Sequence, residues 1–253
     1  MFSIIVPAFE EEATIGAVVR SVRGIEGSEL LVVDDGSGDD TAERARSAGA
    51  RVISLPENLG KGHAVDAGVR AAAHDVLVFL DADVRGMDEE KVLALVRPVR
   101  EGAVMCVGVR YALFDRLNDR LRWAPVIAKL SGQRCIQRRL WEAARDHCDG
   151  YRLESALNYF ASRTGEIAYI YLPGLSHTIK ERKRGVLQGA RQRLRMIGHV
   201  VGATVRVRLA GGSRSGADAT PRQAPASRFG PAKTGAKERW CSHQESNPEP
   251  PDP

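Results

Sequence analysis

Two carboxylates one residue apart, Asp81 and Asp83, follow the apolar run VLVFL at residues 76–80. In an extended chain residues i and i+2 point to the same side, so both side chains are expected to face one site beyond the strand. An isolated pair of this kind more often makes a turn or caps a helix, but its position after a buried strand favours a metal site. Carboxylate oxygens suit Mg²⁺ or Mn²⁺, and such an ion can neutralise a diphosphate leaving group.

A second acidic pair, Asp34 and Asp35, ends the apolar run LLVV at residues 30–33. Gly36 follows and permits a sharp turn. A carboxylate at this place can accept a hydrogen bond from a ribose hydroxyl or a base N–H. The alternative is an ordinary Asx turn followed by a helix cap, the role expected of Asp40 or Thr41. We expect Asp35 to contact a nucleotide.

Lys61 lies between two glycines in the segment NLGKG, at the start of a helix-like pattern. Backbone N–H groups and one ammonium at a helix N-terminus suit a phosphate. The segment is not a P-loop, because residue 62 is glycine and not Ser or Thr after the lysine. No G-x-G-x-x-G follows the first strand, which disfavours a dinucleotide site. Taken alone, Lys61 is better interpreted as a solvated surface lysine.

Strand-like and helix-like patterns alternate over residues 1–110. Continuous apolar strands in such an alternation predict an α/β fold, a mostly parallel central sheet with helices on both faces. Ligands of these folds bind at the carboxyl ends of the strands, where the acidic clusters lie. Strands are predicted within 2–8, 28–37, 51–57, 75–83, 103–110 and 166–174, and helices within 10–25, 39–50, 62–74, 88–101 and 152–165; residues 130–145 are predicted as a loop and then a helix.

Positive charge is concentrated late in the chain. The 253 residues carry a net charge of +5, and residues 178–209 hold nine Lys/Arg against one Glu. This segment is predicted to be helical, and its mixture of basic and aliphatic residues suits a peripheral contact with an anionic membrane surface. A helix packed on the body with a charged outer face fits equally well. No aromatic side chains are interspersed among these basic residues, and no known nucleic-acid-binding motif is present. Nucleic acid is therefore not an expected partner.

The cysteines and the ends of the chain bear on location. The 4 cysteines show no C-x-x-C spacing, which disfavours a zinc site or disulfide framework and favours a reducing cytoplasm. No stretch approaches the roughly 20 apolar residues needed to span a bilayer, and the N-terminus lacks the basic region of a signal peptide. We expect a cytoplasmic protein, with the inner face of the cell membrane as the alternative; a homodimer is compatible with these features. Residues 210–253, rich in Gly, Pro, Ser and Ala, are predicted to be a disordered tail.

In their order and spacing, the segments SIIVPAFEEEATI, LLVVDDGSGDDT, NLGKG and VLVFLDAD resemble family 2 glycosyltransferases with the GT-A fold. The resemblance covers residues 1–110. It implies that Asp35 binds the base or ribose, that Lys61 lies near the nucleotide and phosphates, and that Asp81 and Asp83 form the metal-binding D-x-D. Glu10 stands where these enzymes often have Asn. The resemblance also implies that four residues frame the nucleotide base of the donor: Pro7, Ala8, Phe9 and Glu11.

The second half resembles bacterial relatives of dolichyl-phosphate mannosyltransferases and glucosyl-3-phosphoglycerate synthases, through LSGQRCIQRRLWEAA, GYRLESALNYFA and LPGLSHTIKERKRG. The resemblance implies that Ser131, Gly132 and Arg134 help form the acceptor side. It places Glu154 near the reacting sugar and makes His177 a third metal ligand. Glu154 can accept a proton from the acceptor, and Arg134 can pair with a phosphate. The alternatives are a solvated helix acid for Glu154 and an unliganded loop residue for His177.

The sequence thus predicts a metal-dependent glycosyltransferase that uses a nucleotide-diphosphate sugar. We expect a single domain over residues 1–209, with a nucleotide-sugar half (1–110), an acceptor half (111–177) and the basic segment (178–209). The acceptor is expected to be anionic, either a polyprenyl phosphate or another lipid, or a soluble phosphorylated acid. Two other functions remain open: a sugar nucleotidyltransferase, disfavoured by the acidic PAFEEE after the first strand, and a non-enzymatic protein whose basic helix binds a membrane or nucleic acid.

Overall fold

The computed structural model describes residues 1–109, 131–148, 153–177 and 238–241. Its strands are β1 (Phe2–Ala8), β2 (Ser28–Asp34), β3 (Arg51–Ser54), β4 (Val76–Phe79), β5 (Val84–Arg85), β6 (Met105–Val109), β7 (Arg134–Gln137), β8 (Ile167–Tyr171), β9 (Ser176–His177) and β10 (Glu238–Cys241). Its helices are α1 (Ile15–Val22), α2 (Thr41–Ser47), α3 (Lys61–Ala71), α4 (Glu89–Arg100), α5 (Arg138–Ala144) and α6 (Leu153–Thr164). A short 3-10 turn, Arg145–His147, follows α5.

Eight of these strands form one sheet in the order β10-β8-β6-β7-β4-β1-β2-β3. Every neighbouring pair is parallel except the two that involve β7, which runs antiparallel to β4 and to β6. The expected mostly parallel α/β sheet is therefore confirmed. The two remaining strands, β5 and β9, form a separate antiparallel pair.

The sheet is buried on both faces, as continuous apolar strands require. In β1, Ile4 belongs to one hydrophobic cluster together with residues of α1 and α4. Its neighbour Ile5 points the other way, into a second cluster with residues of α3, α5 and α6. Both isoleucines are fully buried. Successive side chains of a strand thus supply two cores, one on each side of the sheet.

Two segments differ from the sequence prediction. Residues 130–145 were expected to form a loop and then a helix, but within them residues 134–137 form the antiparallel strand β7 in the middle of the sheet. Residues 238–241 lie in the predicted disordered tail, and they form β10, which pairs with β8. The rest of that tail and the basic segment 178–209 lie outside the described residues. Within the described part of the chain, no helix combines the length and apolar character needed to cross a bilayer.

Candidate active site

The carboxyl ends of three parallel strands meet at one edge of the sheet. The register pairs Ala8 of β1 with Asp34 of β2, and Ile5 of β1 with Phe79 of β4. Because β7 is antiparallel, its first residue, Arg134, lies opposite Phe79 at this same edge. The acidic clusters and the S-G-x-R segment are therefore brought together, as ligand sites in open α/β sheets require.

Asp81 is held by side chains from two directions. Lys61 Nζ lies 2.8 Å from its Oδ1, and Gln133 Nε2 donates to its Oδ2 at 2.8 Å. The Asp81 backbone N–H also donates to Gln133 Oε1, at 3.3 Å. The backbone of Gly132 packs so closely that a Cβ there would lie 2.3 Å from Oδ2 of Asp81. The carboxylate is thus confined to one orientation.

Lys61 links the two halves of the predicted site. Its ammonium contacts Asp81 and also lies 3.0 Å from Oε1 of Glu154, at the start of α6. Burial alone would lower the pKa of Lys61, but the charges and hydrogen bonds of these two carboxylates outweigh it and raise the pKa above its ordinary value. Lys61 therefore stays protonated at neutral pH and presents a fixed positive charge beside both acids. The solvated-lysine interpretation does not fit this geometry.

The segment from Asp81 to Asp83 is not an extended strand. β4 ends at Phe79, and the backbone N–H of Val84 donates to the Asp81 carbonyl at 3.2 Å, which closes a turn. The expectation that both carboxylates project from one side of an extended chain is wrong in that detail. Asp83 lies inside the turn and is partly buried. The two acids remain neighbours at the strand end.

The predicted third ligand, His177, is brought to the same turn by its backbone. In the β5–β9 pair, His177 lies opposite Val84, the residue directly after Asp83. The two segments of the chain approach closely beside this strand pair: a Cβ at Gly86 would lie 2.5 Å from the Gly174 carbonyl oxygen. The backbone of a histidine 94 residues away in sequence therefore lies next to the D-x-D, and its role as a metal ligand stays a prediction.

The donor set suits a hard divalent cation. Asp81 and Asp83 supply carboxylate oxygens, which Mg²⁺ and Mn²⁺ prefer. Among the described residues, no three His, Cys, Asp or Glu side chains cluster to hold an ion. A cation at this turn would also take water and phosphate oxygens as ligands, the usual habit of these ions at substrate sites.

The loop after β1 is pinned to the loop that follows β2. The carbonyl of Ala8 accepts from Asp35 N at 2.8 Å, and the backbone N–H of Glu11 donates to Thr41 Oγ1 at 2.8 Å. The Glu11 carboxylate accepts from the hydroxyl of Thr14, also at 2.8 Å. Phe9 stays 37% exposed at the tip. These contacts fix the loop after β1, and the base-framing role of Pro7, Ala8, Phe9 and Glu11 stays a prediction.

Asp35 has a different set of partners from the expected ones. Its carboxylate is 3% exposed and accepts from the backbone N–H groups of Leu59 and Gly60, at 2.9 and 2.8 Å. Asp34 makes the Asx-type contact, accepting from Ser37 N at 3.2 Å. Asp35 therefore fixes the loop that leads into α3, and through it the position of Lys61. Any hydrogen bond to a ribose or base would be additional to these two.

Arg134 is buried completely, which the sequence did not indicate. Its Nε donates to the Ser131 carbonyl at 2.7 Å, and its Nη1 donates to Asn158 Oδ1 at 2.8 Å. Burial lowers the pKa of Arg134, and the nearby Glu154 partly offsets that effect. The guanidinium joins β7 to α6 beneath Glu154. This geometry favours a supporting role over direct pairing with an acceptor phosphate.

Gln133 was missed by the sequence reasoning. It is the x residue of the S-G-x-R segment, and its side chain pairs with Asp81 beside Lys61. The sequence predicts no strand in this segment, so alternation along β7 gives no orientation for Gln133. A strand prediction there would have placed Gln133 and Arg134 on opposite faces.

Comparison with known proteins agrees with this geometry. The family model described as "Glycosyl transferase family 2" matches residues 3–160. A glucosyl-3-phosphoglycerate synthase of Mycolicibacterium paratuberculosis is 42% identical over 110 residues, which are 40% of this chain and 33% of that protein. The corresponding enzyme of Mycobacterium tuberculosis is 39% identical over 110 residues, 40% of this chain and 34% of its own length. The match thus spans about a third of these curated relatives.

Solved structures extend the likeness over more of the chain. The Mycobacterium tuberculosis glucosyl-3-phosphoglycerate synthase, in complex with Mn²⁺, UDP-glucose and phosphoglyceric acid, superposes with a TM-score of 0.63 at 26% identity. The overlap covers 81% of this chain and 79% of that one. A complex of the same protein with Mn²⁺, UDP-glucose and glycerol 3-phosphate gives a TM-score of 0.62 at 26% identity, with the same coverage. The expected GT-A fold is confirmed.

Proposed function

The chain belongs to glycosyl transferase family 2 and is a transferase, and from that premise we propose that it moves a sugar from a UDP-sugar to a phosphorylated acceptor with the help of Mn²⁺ or Mg²⁺. Asp81 and Asp83 would hold the cation beside the diphosphate, with His177 as a further ligand. The D-x-D turn and the carboxyl ends of β1 and β2 would bind the nucleotide. The other two functions considered, a nucleotidyltransferase and a non-enzymatic basic protein, lose their support with this membership.

One observation carries the proposal. Lys61 bridges Asp81 of the nucleotide half and Glu154 of the acceptor half, with distances of 2.8 and 3.0 Å. A fixed ammonium at this place suits the negative charge that develops on a leaving diphosphate. The same ammonium lies beside a carboxylate that can serve the acceptor. The charges needed for group transfer therefore meet at one point of the sheet edge.

The proposed reaction is a displacement at the anomeric carbon of the donor sugar. The bond from that carbon to the diphosphate oxygen breaks, and UDP leaves with the electron pair. An acceptor oxygen forms the new bond to the same carbon and loses its proton. Glu154 is the proposed recipient of that proton. The bound cation supplies charge neutralisation of the diphosphate.

Phosphorylated acceptors are favoured by the likeness to proteins solved with phosphoglyceric acid and glycerol 3-phosphate. The lipid-linked or polyprenyl-phosphate acceptor rests only on the basic composition of residues 178–209, which lie outside the described structure. We keep the lipid-linked acceptor as the alternative. The peripheral membrane contact and the cytoplasmic location are proposals as well. A small phosphorylated acid is the acceptor that we put first.

A transfer assay tests the proposal. The purified chain is incubated with radiolabelled UDP-glucose and Mn²⁺, and with phosphoglyceric acid, glycerol 3-phosphate or polyprenyl phosphate in vesicles. We expect metal-dependent release of UDP and label in a small phosphorylated product. Transfer only to the vesicle lipid would replace our acceptor with the lipid-linked one. If neither UDP nor UDP-glucose raises the melting temperature with Mn²⁺ present, the donor assignment is wrong.

A further inference from the structure

We propose that Gln133 is the positioning residue of the metal and diphosphate site, acting through the Asp81 carboxylate that its side chain holds. The inference rests on the proposed function, because it assigns Asp81 to the cation and donor phosphates. Gln133 itself is not proposed to touch substrate. Its role is to fix the direction in which Asp81 presents its oxygens.

The contact between Gln133 and Asp81 has two points. Gln133 Oε1 accepts from the backbone N–H of Asp81 at 3.3 Å, and Gln133 Nε2 donates to Asp81 Oδ2 at 2.8 Å. One side chain therefore binds both the main chain and the carboxylate of the same residue. Two contacts on opposite ends of a planar amide fix the rotation of the carboxylate as well as its place.

Among the common side chains, a primary amide suits this task because it carries an acceptor and a donor on one rigid group. A glutamate would place a second acceptor against Asp81 Oδ2 and repel it. A methionine of similar length would leave both the Asp81 N–H and its carboxylate oxygen without this partner. Gln133 is only 2% exposed, so water is poorly placed to replace the lost hydrogen bonds.

The main chain of Gln133 is itself held in place by neighbouring residues. The carbonyl of Gln133 accepts from Gly108 N at 2.9 Å, which ties it to β6. Its N–H donates to Ser131 Oγ at 3.3 Å. Next along β7, Arg134 is buried and anchored to α6. Gln133 thus reaches Asp81 from a main-chain position fixed directly before the central antiparallel strand, as groups that orient metal ligands are generally set by rigid elements.

The test compares Gln133→Met with Gln137→Met in the full chain. Gln137 lies at the other end of β7, is half-buried and donates to the Ala103 carbonyl at 3.0 Å, so it serves as a hydrogen-bonded amide control. Mn²⁺ binding is followed by electron paramagnetic resonance in the presence of saturating UDP. Loss of a partner that orients a metal ligand typically weakens metal affinity by roughly 10- to 100-fold, and we expect at least about 10-fold for Gln133→Met. Gln137→Met should match the unaltered chain.

A role for Gln133 in stability alone gives a different result. Gln133→Met would then lower the melting temperature without changing Mn²⁺ affinity, and that outcome overturns the inference. Gln133→Asn is a second variant, needed in case Gln133→Met does not fold. Its side chain is too short to make both contacts, so we expect the same weakening of Mn²⁺ binding. If Gln133→Asn folds and binds Mn²⁺ as tightly as the unaltered chain, the inference about Gln133 is also overturned. If the unaltered chain shows no UDP-dependent Mn²⁺ binding, the proposed function itself is wrong.

Discussion

The ammonium of Lys61 lies 3.0 Å from Oε1 of Glu154, although 93 residues separate them in the sequence. Lys61 begins α3 in the nucleotide half, and Glu154 lies in the first turn of α6 in the acceptor half. This hydrogen-bonded pair therefore joins the two halves at the edge where the strands end. Lys61 also holds Asp81, so one charge serves both sides of the proposed transfer.

Replacing Lys61 with methionine should separate nucleotide binding from metal binding. Hydrogen bonds to charged groups contribute about 1.5–3 kcal/mol, so UDP should bind roughly 10- to 100-fold more weakly. Mn²⁺ alone should bind no more weakly, because the site loses a positive charge. Isothermal titration of each ligand measures the two effects. Arg70→Met is the control, since Arg70 pairs with Asp66 at the other end of α3; equal losses for Mn²⁺ and UDP would contradict the assigned role.

Asp83→Asn should remove the metal dependence of donor binding. The amide keeps the size of the side chain but loses the negative charge that a divalent cation requires. We expect the Mn²⁺-dependent rise in melting temperature with UDP to vanish, and metal-dependent hydrolysis of UDP-glucose to fall below detection. Asp88→Asn is the control, because Asp88 caps α4 through Lys91 N and asparagine caps helices equally well. A full Mn²⁺ response in the Asp83 variant would place the metal elsewhere.

The parallel half of the sheet was predictable from sequence because its strands are continuous apolar runs. β1 agrees with the prediction at both ends, Phe2–Ala8. β7 was missed because RCIQ carries Arg and Gln at its ends and resembles a polar loop. Its strand conformation is imposed by β4 and β6, which flank it on both sides. Such pairing is long-range, so it leaves no local periodicity in four residues.

The site was predictable as a set of residues but not as a set of contacts. Local pattern located Asp81, and the family resemblance added Lys61 and Glu154; the structure brings these three together. The same pattern gave no sign that both oxygens of Asp35 accept from the loop at Leu59 and Gly60. Carboxylates that bind backbone N–H groups and carboxylates that bind ligands look alike in sequence. Only the fold shows which N–H groups are near.

Glu10→Asn should stabilise the protein. Glu10 has φ of +52°, and in the described residues it is the one non-glycine with positive φ. A left-handed conformation costs most side chains about 1–2 kcal/mol, and asparagine tolerates it better. If asparagine lowers the cost of this backbone conformation by roughly 0.5 kcal/mol, the melting temperature should rise by about 1–2 °C. Glu26→Asn, at an exposed turn residue without positive φ, should bring no gain; a fall in melting temperature for Glu10→Asn would show that its side chain makes the larger contribution.

The loss of stability at acid pH should depend on Asp39. Burial alone would raise the pKa of Asp39, but the hydroxyl of Thr41 and the backbone N–H groups of Thr41 and Glu12 donate to it and hold the pKa below its ordinary value. A group with a depressed folded pKa stabilises the protein above its unfolded value, about 3.9, and this contribution is lost as the pH falls through the folded pKa. Asp39→Asn should therefore flatten the decline of melting temperature below about pH 4. Asp40→Asn, which removes no capping hydrogen bond, should leave the decline unchanged.

Gly132→Ala tests whether the Asp81 carboxylate has room to move. A Cβ at residue 132 would lie 2.3 and 2.5 Å from the two carboxylate oxygens, closer than such atoms ever pack. Either Asp81 or the start of β7 must shift, and each shift disturbs the metal ligand. We expect Mn²⁺-dependent UDP binding to weaken by about 10-fold or more, the scale seen when the support of a metal ligand is lost. Gly38→Ala is the control, because a Cβ there meets nothing within 4 Å. If both alanine variants bind Mn²⁺ and UDP equally well, Asp81 is free to adjust and its fixed orientation is unimportant for the site.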